Sequence, residues 1–442
     1  MLARHAFHYR QQQLYCEAVP LSRLVAETGT PVYVYSKAEL VHRATMFRDA
    51  MASYAPPGMA CYATKANLNL VILRLLAELG LGAEVTSGGE LQAALQVGFS
   101  PERIVFSGVG KRPAELRDGL RSGIRAFHVE STQELERLGR IAQAEQQIAK
   151  MAVRVNPNVH APTHPNISTG QAFHKFGVPY DQALTLMTSA ASHPWLHPVG
   201  LAAHIGSQIR SLTPFTEAAQ VLLSLAAEVR HHDIDVDYLD LGGGLAVDYA
   251  KENTPNLPEW VDVLSPPVNA AGYQLLLEPG RALVGPAGAL LTAVEYTKNA
   301  AGDMVVVVDA AMNDFLRPAL YQARHPILPL HHNPTVGNGD WQSLQPGQTA
   351  IVVGPVCETT DQLGSLDNAE RLVPGNYLAI LLAGAYGFAM SSQYNGRPRP
   401  AEVLVADDSY WIIRRREDYQ DLWYHCPDHG IVDNLSQKGK HD

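Results

Sequence analysis

The chain has 442 residues, more than an ordinary single domain of roughly 100 to 200 residues, so one large domain joined to a smaller one is the first expectation. Hydrophobic residues make up 46% and charged residues 18%, and the formal charge is −10. That balance gives no electrostatic reason to expect nucleic acid or an anionic membrane as partner, and favours a small-molecule ligand.

In chain order, the opening FHYRQQQLYCEAVP reads as a short hairpin or strand ahead of a first helix over Leu21–Thr28. Eight short runs rich in Val, Ile, Leu and Ala follow, each closed by Gly, Ser, Asn or Pro: 59–67, 82–90, 104–111, 126–131, 151–157, 200–208, 237–244 and 273–281. Between them apolar residues recur three and four apart, as at 90–97 and 217–231, which is the pattern of outer helices. Eight βα units close a TIM-like (β/α)8 barrel, with an open doubly wound sheet as the alternative. Polar residues tip the balance: Lys65, Ser87, Lys111, Glu130, Asn156, His204, the glycines at 242–244 and Glu278 all end their runs, where barrel enzymes gather their active groups.

After about residue 285 the helical signal fades. VVVVDAAMND, QTAIVVGPVCE, NYLAILLAGAYG and AEVLVADDSYWIIRRRE read as strands of antiparallel character separated by turns. The expected fold is therefore α/β, a barrel over 36–284 and a C-terminal β-barrel or sandwich over 285–442 that the N-terminal segment 1–35 joins.

Four cysteines at 16, 61, 357 and 426 form no CxxC pair, which argues against a disulfide framework or a structural zinc site and leaves no metal expected. The longest apolar run, 377–390, has 14 residues, short of the roughly 18 to 20 that span a bilayer. The opening MLARHAFHYRQQQ lacks an apolar signal core, so a cytoplasmic protein with reduced thiols is expected.

Lys65 in CYATKANLN is the focus of the chemistry. A lysine on the barrel floor can form a Schiff base with an aldehyde cofactor, because burial is expected to depress its pKa and free the amine. Pyridoxal phosphate is the natural candidate. Its phosphate needs backbone N–H donors, which Gly242, Gly243 and Gly244 in a turn leading into a helix would supply; three glycines are otherwise a tight turn. Its pyridine nitrogen needs a carboxylate partner to stay protonated, and Glu278 fits, unless it is a helix cap or salt-bridge partner. His204 would stack on the ring, or else is a satisfied core histidine.

The segments YATKAN, TSGGEL, RVNP, ISTGQAFHKFGV, HIGSQ, DLGGGL, EPGR, MNDFLRPALY, GPVCETTD and GAYGFAMSSQYN resemble, in order and spacing, the fold type III pyridoxal-phosphate decarboxylases, and among them the diaminopimelate decarboxylases. The resemblance implies that Lys65 carries the cofactor and His204 stacks on it. It implies that Ser207, Gly242, Gly243, Gly244 and the backbone of Pro279, Gly280 and Arg281 hold the phosphate, that Glu278 pairs with the pyridinium, and that Tyr386 touches phosphate and substrate. It also implies a homodimer in which Cys357 and Glu358 enter the neighbouring subunit's site.

Meso-diaminopimelate has a second amino-acid head, so its pocket should offer cations for a carboxylate and an anion for an ammonium. Arg281, Arg317 and Glu358 supply that pattern and Tyr321 adds a hydroxyl; Arg317 is otherwise a domain-interface salt bridge. The implied activity is decarboxylation of meso-diaminopimelate to lysine, the last step of lysine biosynthesis, with Cys357 as the acid that reprotonates the carbanion. Otherwise Cys357 is an inert small hydrophobe. The rivals are decarboxylation of ornithine, lysine or carboxynorspermidine, and a non-catalytic regulatory role. Thr64, Thr360 and Gln393 depart from the family pattern, as does the stretch 324–341.

Overall fold

The computed structural model describes residues 6–160, 175–249, 254–300, 303–331, 349–366 and 372–426. Most of ISTGQAFHKFGV and of the divergent stretch 324–341 lies outside these residues.

Each of the eight apolar runs overlaps a strand, two of the strands beginning two and four residues earlier at Ala149 and Leu196, and the eight strands close a parallel barrel. In sequence they are Met59–Ala63, Gly82–Val85, Ile104–Phe106, Ala126–Val129, Ala149–Arg154, Leu196–Ala202, Tyr238–Asp240 and Gln274–Leu277. The last pairs with the first through Leu276 with Met59 and Leu277 with Ala60. The period of two along a strand sorts the barrel interior into layers. Met59, Cys61, Val105, Ala126, Ala152, Val199, Tyr238 and Leu276 pack into one apolar cluster. Two residues further toward the C-terminal ends stand His128, Arg154, Asp240 and Glu278, all buried. The step from apolar to polar layer places charge at the top of a dry floor.

The last barrel strand is followed only by the four-residue helix Arg281–Val284. Its place in the outer ring is filled from upstream by the helix Lys37–Ala52, which packs against Leu257–Ala270 through Phe47 stacked on Trp260 at 6.4 Å. Ser36 caps that helix by accepting a bond from the Glu39 N–H.

Strand Val32–Ser36, just before it, belongs to the other domain. It lies antiparallel to Gly288–Ala300 and parallel to Ala401–Ala406 within a nine-stranded sheet. Asp303–Val308 and Ala350–Val353 are also parallel. The sheet is thus mixed rather than antiparallel throughout, because strands brought from distant parts of the chain need no hairpin to fix their direction. The opening segment forms a three-stranded sheet, Phe7–Arg10, Gln13–Cys16 and Val19–Pro20, tied to the second domain where the Leu14 N–H donates to Leu330 O at 2.9 Å. Phe7, Leu14, Cys16 and Val19 share a core with Val32, Ala289 and Val403.

The two domains meet at the end of the first barrel strand. Asn67 Nδ2 donates to Gly384 O at 3.1 Å, Asn69 Nδ2 to the buried Glu402 Oε2 at 2.9 Å, and the Tyr386 N–H to Ala66 O at 2.7 Å. These bonds fall within the four residues that follow Lys65.

Candidate active site

A cavity of about 620 Å³ opens at the C-terminal end of the barrel. Of the residues singled out in the sequence, Lys65, Ser87, His204, Ser207, Glu278, Arg281, Tyr321 and Tyr386 line it. Glu84, Asp240, His128, Arg154 and Ser107, which sequence reasoning did not assign to the site, line it too.

Lys65 sits in the single turn Thr64–Ala66, with its side chain 37% accessible and so reachable from the cavity. Its Nζ donates to Glu84 Oε2 at 2.8 Å. Burial pulls the ammonium toward neutrality, yet Glu84, Tyr386 and Glu278 together outweigh it and hold the pKa above the ordinary lysine value. The expected free amine is therefore corrected: Lys65 is an ammonium whose proton is held by Glu84. Thr64, one of the departures, is fully buried, and its Oγ1 lies 2.9 Å from Glu84 O and 3.0 Å from Glu90 Oε2.

Asp240 and Glu278 end neighbouring strands. Burial and crowding by each other and by Glu84 raise the Glu278 carboxyl well above its usual range, and burial raises Asp240 to about 6. Asp240 Oδ2 is buried with no donor among the described residues. Such carboxylates call for a cation. His128, Asp240 and Glu278 offer ligand atoms within 4.8 Å of one another, a spacing that one ion can span, and a protonated ring nitrogen meets the same need.

His128 is neutral: burial and the charges of Lys111 and Arg154 lower its pKa to about 3. It lies between Ser107 Oγ and Tyr238 Oη, each at 3.1 Å. Because the folded value is below the unfolded 6.5, the unfolded chain takes up a proton that the fold refuses as pH falls through 6.5, and stability is lost. Comparing the cofactor-free wild type with His128→Asn by urea denaturation, the stability gap should narrow by about 2 kcal/mol in all as pH falls from about 7 to 5. A gap independent of pH would show that His128 titrates in the fold as it does in the unfolded chain.

His204 is also neutral, through burial and the nearby charges of Arg154 and Lys65. Its Nδ1 accepts from the Gly243 N–H at 3.1 Å, which puts the ring proton on Nε2. The glycines pack too closely for side chains. A Cβ on Gly243 would lie 2.2 Å from Glu278 O, and one on Gly244 2.2 Å from Gly206 O, with φ +111° besides. The turn does not enter a helix as expected. Leu245 bridges Ile209, and among the described residues the next helix begins at Leu257. The N–H groups of Gly242 and Gly243 are taken by Asp240 Oδ1 and His204, so the turn fixes these two side chains as well as offering a close backbone surface.

Arg281 reaches across the cavity wall. Its Nη2 donates to Ser207 Oγ at 3.2 Å, its Nη1 to Tyr249 Oη at 3.3 Å, and it lies 4.7 Å over the Tyr386 ring. Tyr386 holds φ +55°, an unusual conformation for a non-glycine residue. Arg317 and Tyr321 occupy one face of the short helix Arg317–Tyr321, four residues apart. Tyr321 lines the cavity; Arg317 stands behind it, joined to Tyr249 Oη at 2.9 Å.

Cys357 and Glu358 are not brought to this cavity. Both are exposed; the Cys357 N–H donates to Asn395 Oδ1 and Glu358 Oε1 accepts from Tyr394 Oη at 2.7 Å. Lys111 and Glu130 do not line it either: Lys111 is bonded to Glu134, and Glu130 to Arg154. Asn156 lines a separate hollow.

The pattern of the family described as "Pyridoxal-dependent decarboxylase, pyridoxal binding domain" matches residues 37–285. The diaminopimelate decarboxylase of Vibrio cholerae is 43% identical over 419 residues, 94% of this chain and 97% of that protein. That of Aquifex aeolicus is 42% identical over 412 residues, 93% and 95% of the two chains. Among solved structures, the diaminopimelate decarboxylase of Helicobacter pylori complexed with L-lysine superposes with a TM-score of 0.83 at 38% identity, covering 95% of this chain and all of that one. The M. jannaschii enzyme in co-complex with L-lysine gives 0.89 at 33%, covering 97% and 99%.

Proposed function

The chain belongs to the pyridoxal-dependent decarboxylases, and we propose from that premise that it removes the carboxylate of meso-2,6-diaminopimelate to give L-lysine and carbon dioxide. The observation that carries the substrate choice is the joining of Arg281 and Arg317 through Tyr249 beside the cavity, a paired cationic group suited to a second carboxylate. The family relatives and their lysine complexes support the same reading.

Pyridoxal phosphate, when bound, supplies an electron sink for the carbanion left by loss of carbon dioxide. Its fit rests on the buried carboxyl pair of Asp240 and Glu278, in which Asp240 Oδ2 has no hydrogen-bond partner among the described residues, and on the close-packed glycine turn. In this reading Lys65 would provide the amine that carries the cofactor, with Glu84 placed to accept its proton, and the neutral His204 ring would support the cofactor. Glu278, backed by Asp240, would keep the cofactor's pyridine nitrogen protonated. Ser207, the close-packed glycine turn through Gly244, the backbone of Gly280 and Arg281 and Tyr386 would hold the phosphate. Arg281, Arg317, Tyr321 and Tyr386 orient the substrate, and Cys357 Sγ returns the proton to carbon.

Cys357 and Glu358 are exposed and lie away from the cavity of their own chain, which favours a homodimer with shared sites. Cytoplasmic residence fits a chain whose described helices include none long and apolar enough to cross a membrane. The test is carbon dioxide release with product identification. Meso-diaminopimelate should be turned over to lysine, whereas release from ornithine or lysine alone would sink the substrate assignment.

A further inference from the structure

The group least explained by the reaction is Tyr249, five residues beyond the glycine turn. Its hydroxyl oxygen accepts a bond from Arg281 Nη1 at 3.3 Å and a second from Arg317 Nη1 at 2.9 Å. Arg317 is fixed from another side as well, since the same Nη1 lies 2.6 Å from His325 Nε2. His325 is neutral, through burial and the charge of Arg317, and its Nδ1 donates to Leu381 O at 2.9 Å, so Nε2 is the acceptor. The Tyr249 and His325 rings meet edge to face with centroids 4.7 Å apart.

Two buried guanidinium groups side by side repel, and burial together with Arg281 lowers the pKa of Arg317. No carboxylate forms an ion pair with either among the described residues; the oxygen between them belongs to a phenol. Burial disfavours the phenolate of Tyr249, but the two arginines outweigh burial and draw its pKa below the ordinary value. Arg281 Nε and Arg317 Nε are both buried with no partner among the described residues. Such a group is positively charged and short of acceptors, and an incoming carboxylate supplies them.

We propose that Tyr249 is a positioning residue for substrate selection: its hydroxyl holds Arg281 and Arg317 together as one two-arginine clamp for the carboxylate remote from the reacting carbon. This rests on the substrate reading above. Arg281 lines the cavity, Arg317 lies behind it, and the phenol is what makes them act as a unit. The separate arginines attract anions in general; the bridged pair fixes one geometry, which is what distinguishes an amino acid from an amine of the same length.

The test compares L-lysine, which retains the distal carboxylate, with 1,5-diaminopentane, which lacks it, as ligands of the holoenzyme. Binding is measured by calorimetry on wild type and Tyr249→Phe, which keeps the ring and removes only the hydroxyl. The wild type should prefer lysine, and Tyr249→Phe should weaken lysine about tenfold while leaving the diamine unchanged. An unchanged lysine affinity would overturn the clamp. So would an equal loss for both ligands, weakened retention of pyridoxal phosphate or poor folding, each of which assigns the hydroxyl a cofactor or structural role. A wild type with no preference for lysine and no carbon dioxide release from meso-diaminopimelate would instead remove the substrate reading on which the clamp rests.

Discussion

Lys65→Ala should fold and bind pyridoxal phosphate only loosely, without the visible absorbance of a lysine-linked cofactor, and its turnover should fall by more than about 10³-fold. The expectation follows from the surroundings of Nζ. Glu84 Oε2 at 2.8 Å is placed to take the proton that keeps the amine from attacking an aldehyde, and Glu278 stands on the same cavity wall. Alanine removes the nucleophile and leaves Glu84, Asp240 and Glu278 without the ammonium among them, so the cofactor-free variant should also lose stability at neutral pH. Absorbance spectra before and after borohydride, with denaturation curves, check both effects. A variant that still shows the lysine-linked absorbance would place the cofactor elsewhere.

The barrel was legible because each of its strands is an apolar run ended by a polar or turn residue, and the layer arrangement follows from strand period. Lys65, His204 and Glu278 were legible for the same reason: each stands at the end of a run, where the barrel opens. Glu84 and Asp240 were not. Within GAEV and DYLD an acidic residue reads as the solvent side of an alternating strand, and only barrel closure turns that face inward. The signal that could have found Asp240 is its place two residues before the first of three glycines whose turn its own carboxylate caps.

The protonation of Lys65 was misjudged for a connected reason. Desolvation alone argues for a free amine, and the opposing charge is that of Glu84, 19 residues away in sequence and on the adjacent strand. Tyr249 was hidden because it follows the glycines in a segment with no periodicity. Its meaning depends on Arg281 and Arg317, 32 and 68 residues distant. Parallel pairing of Val32–Ser36 with Ala401–Ala406 is equally non-local. Local pattern therefore specifies where the site opens, while its charge balance depends on contacts the pattern does not contain.

Cys357→Ala should keep the lysine-linked absorbance of the wild type and lose about 10² to 10⁴-fold in kcat, the range of a missing general acid. Its thiol is exposed and absent from the cavity that holds Lys65, so a proton-donating role requires a second chain to bring it there. That requirement gives the more decisive experiment. Lys65→Ala and Cys357→Ala are each nearly inactive as pure dimers, but a heterodimer of the two contains one site with both Lys65 and Cys357 intact. Random exchange of equal amounts makes half the dimers mixed, so activity should return to about a quarter of the wild-type value. If Cys357 served the cavity of its own chain, every site in the mixed dimer would lack one of the two groups. Mixing would then recover nothing, and the shared-site reading would fall together with the proton-donor role assigned across the interface.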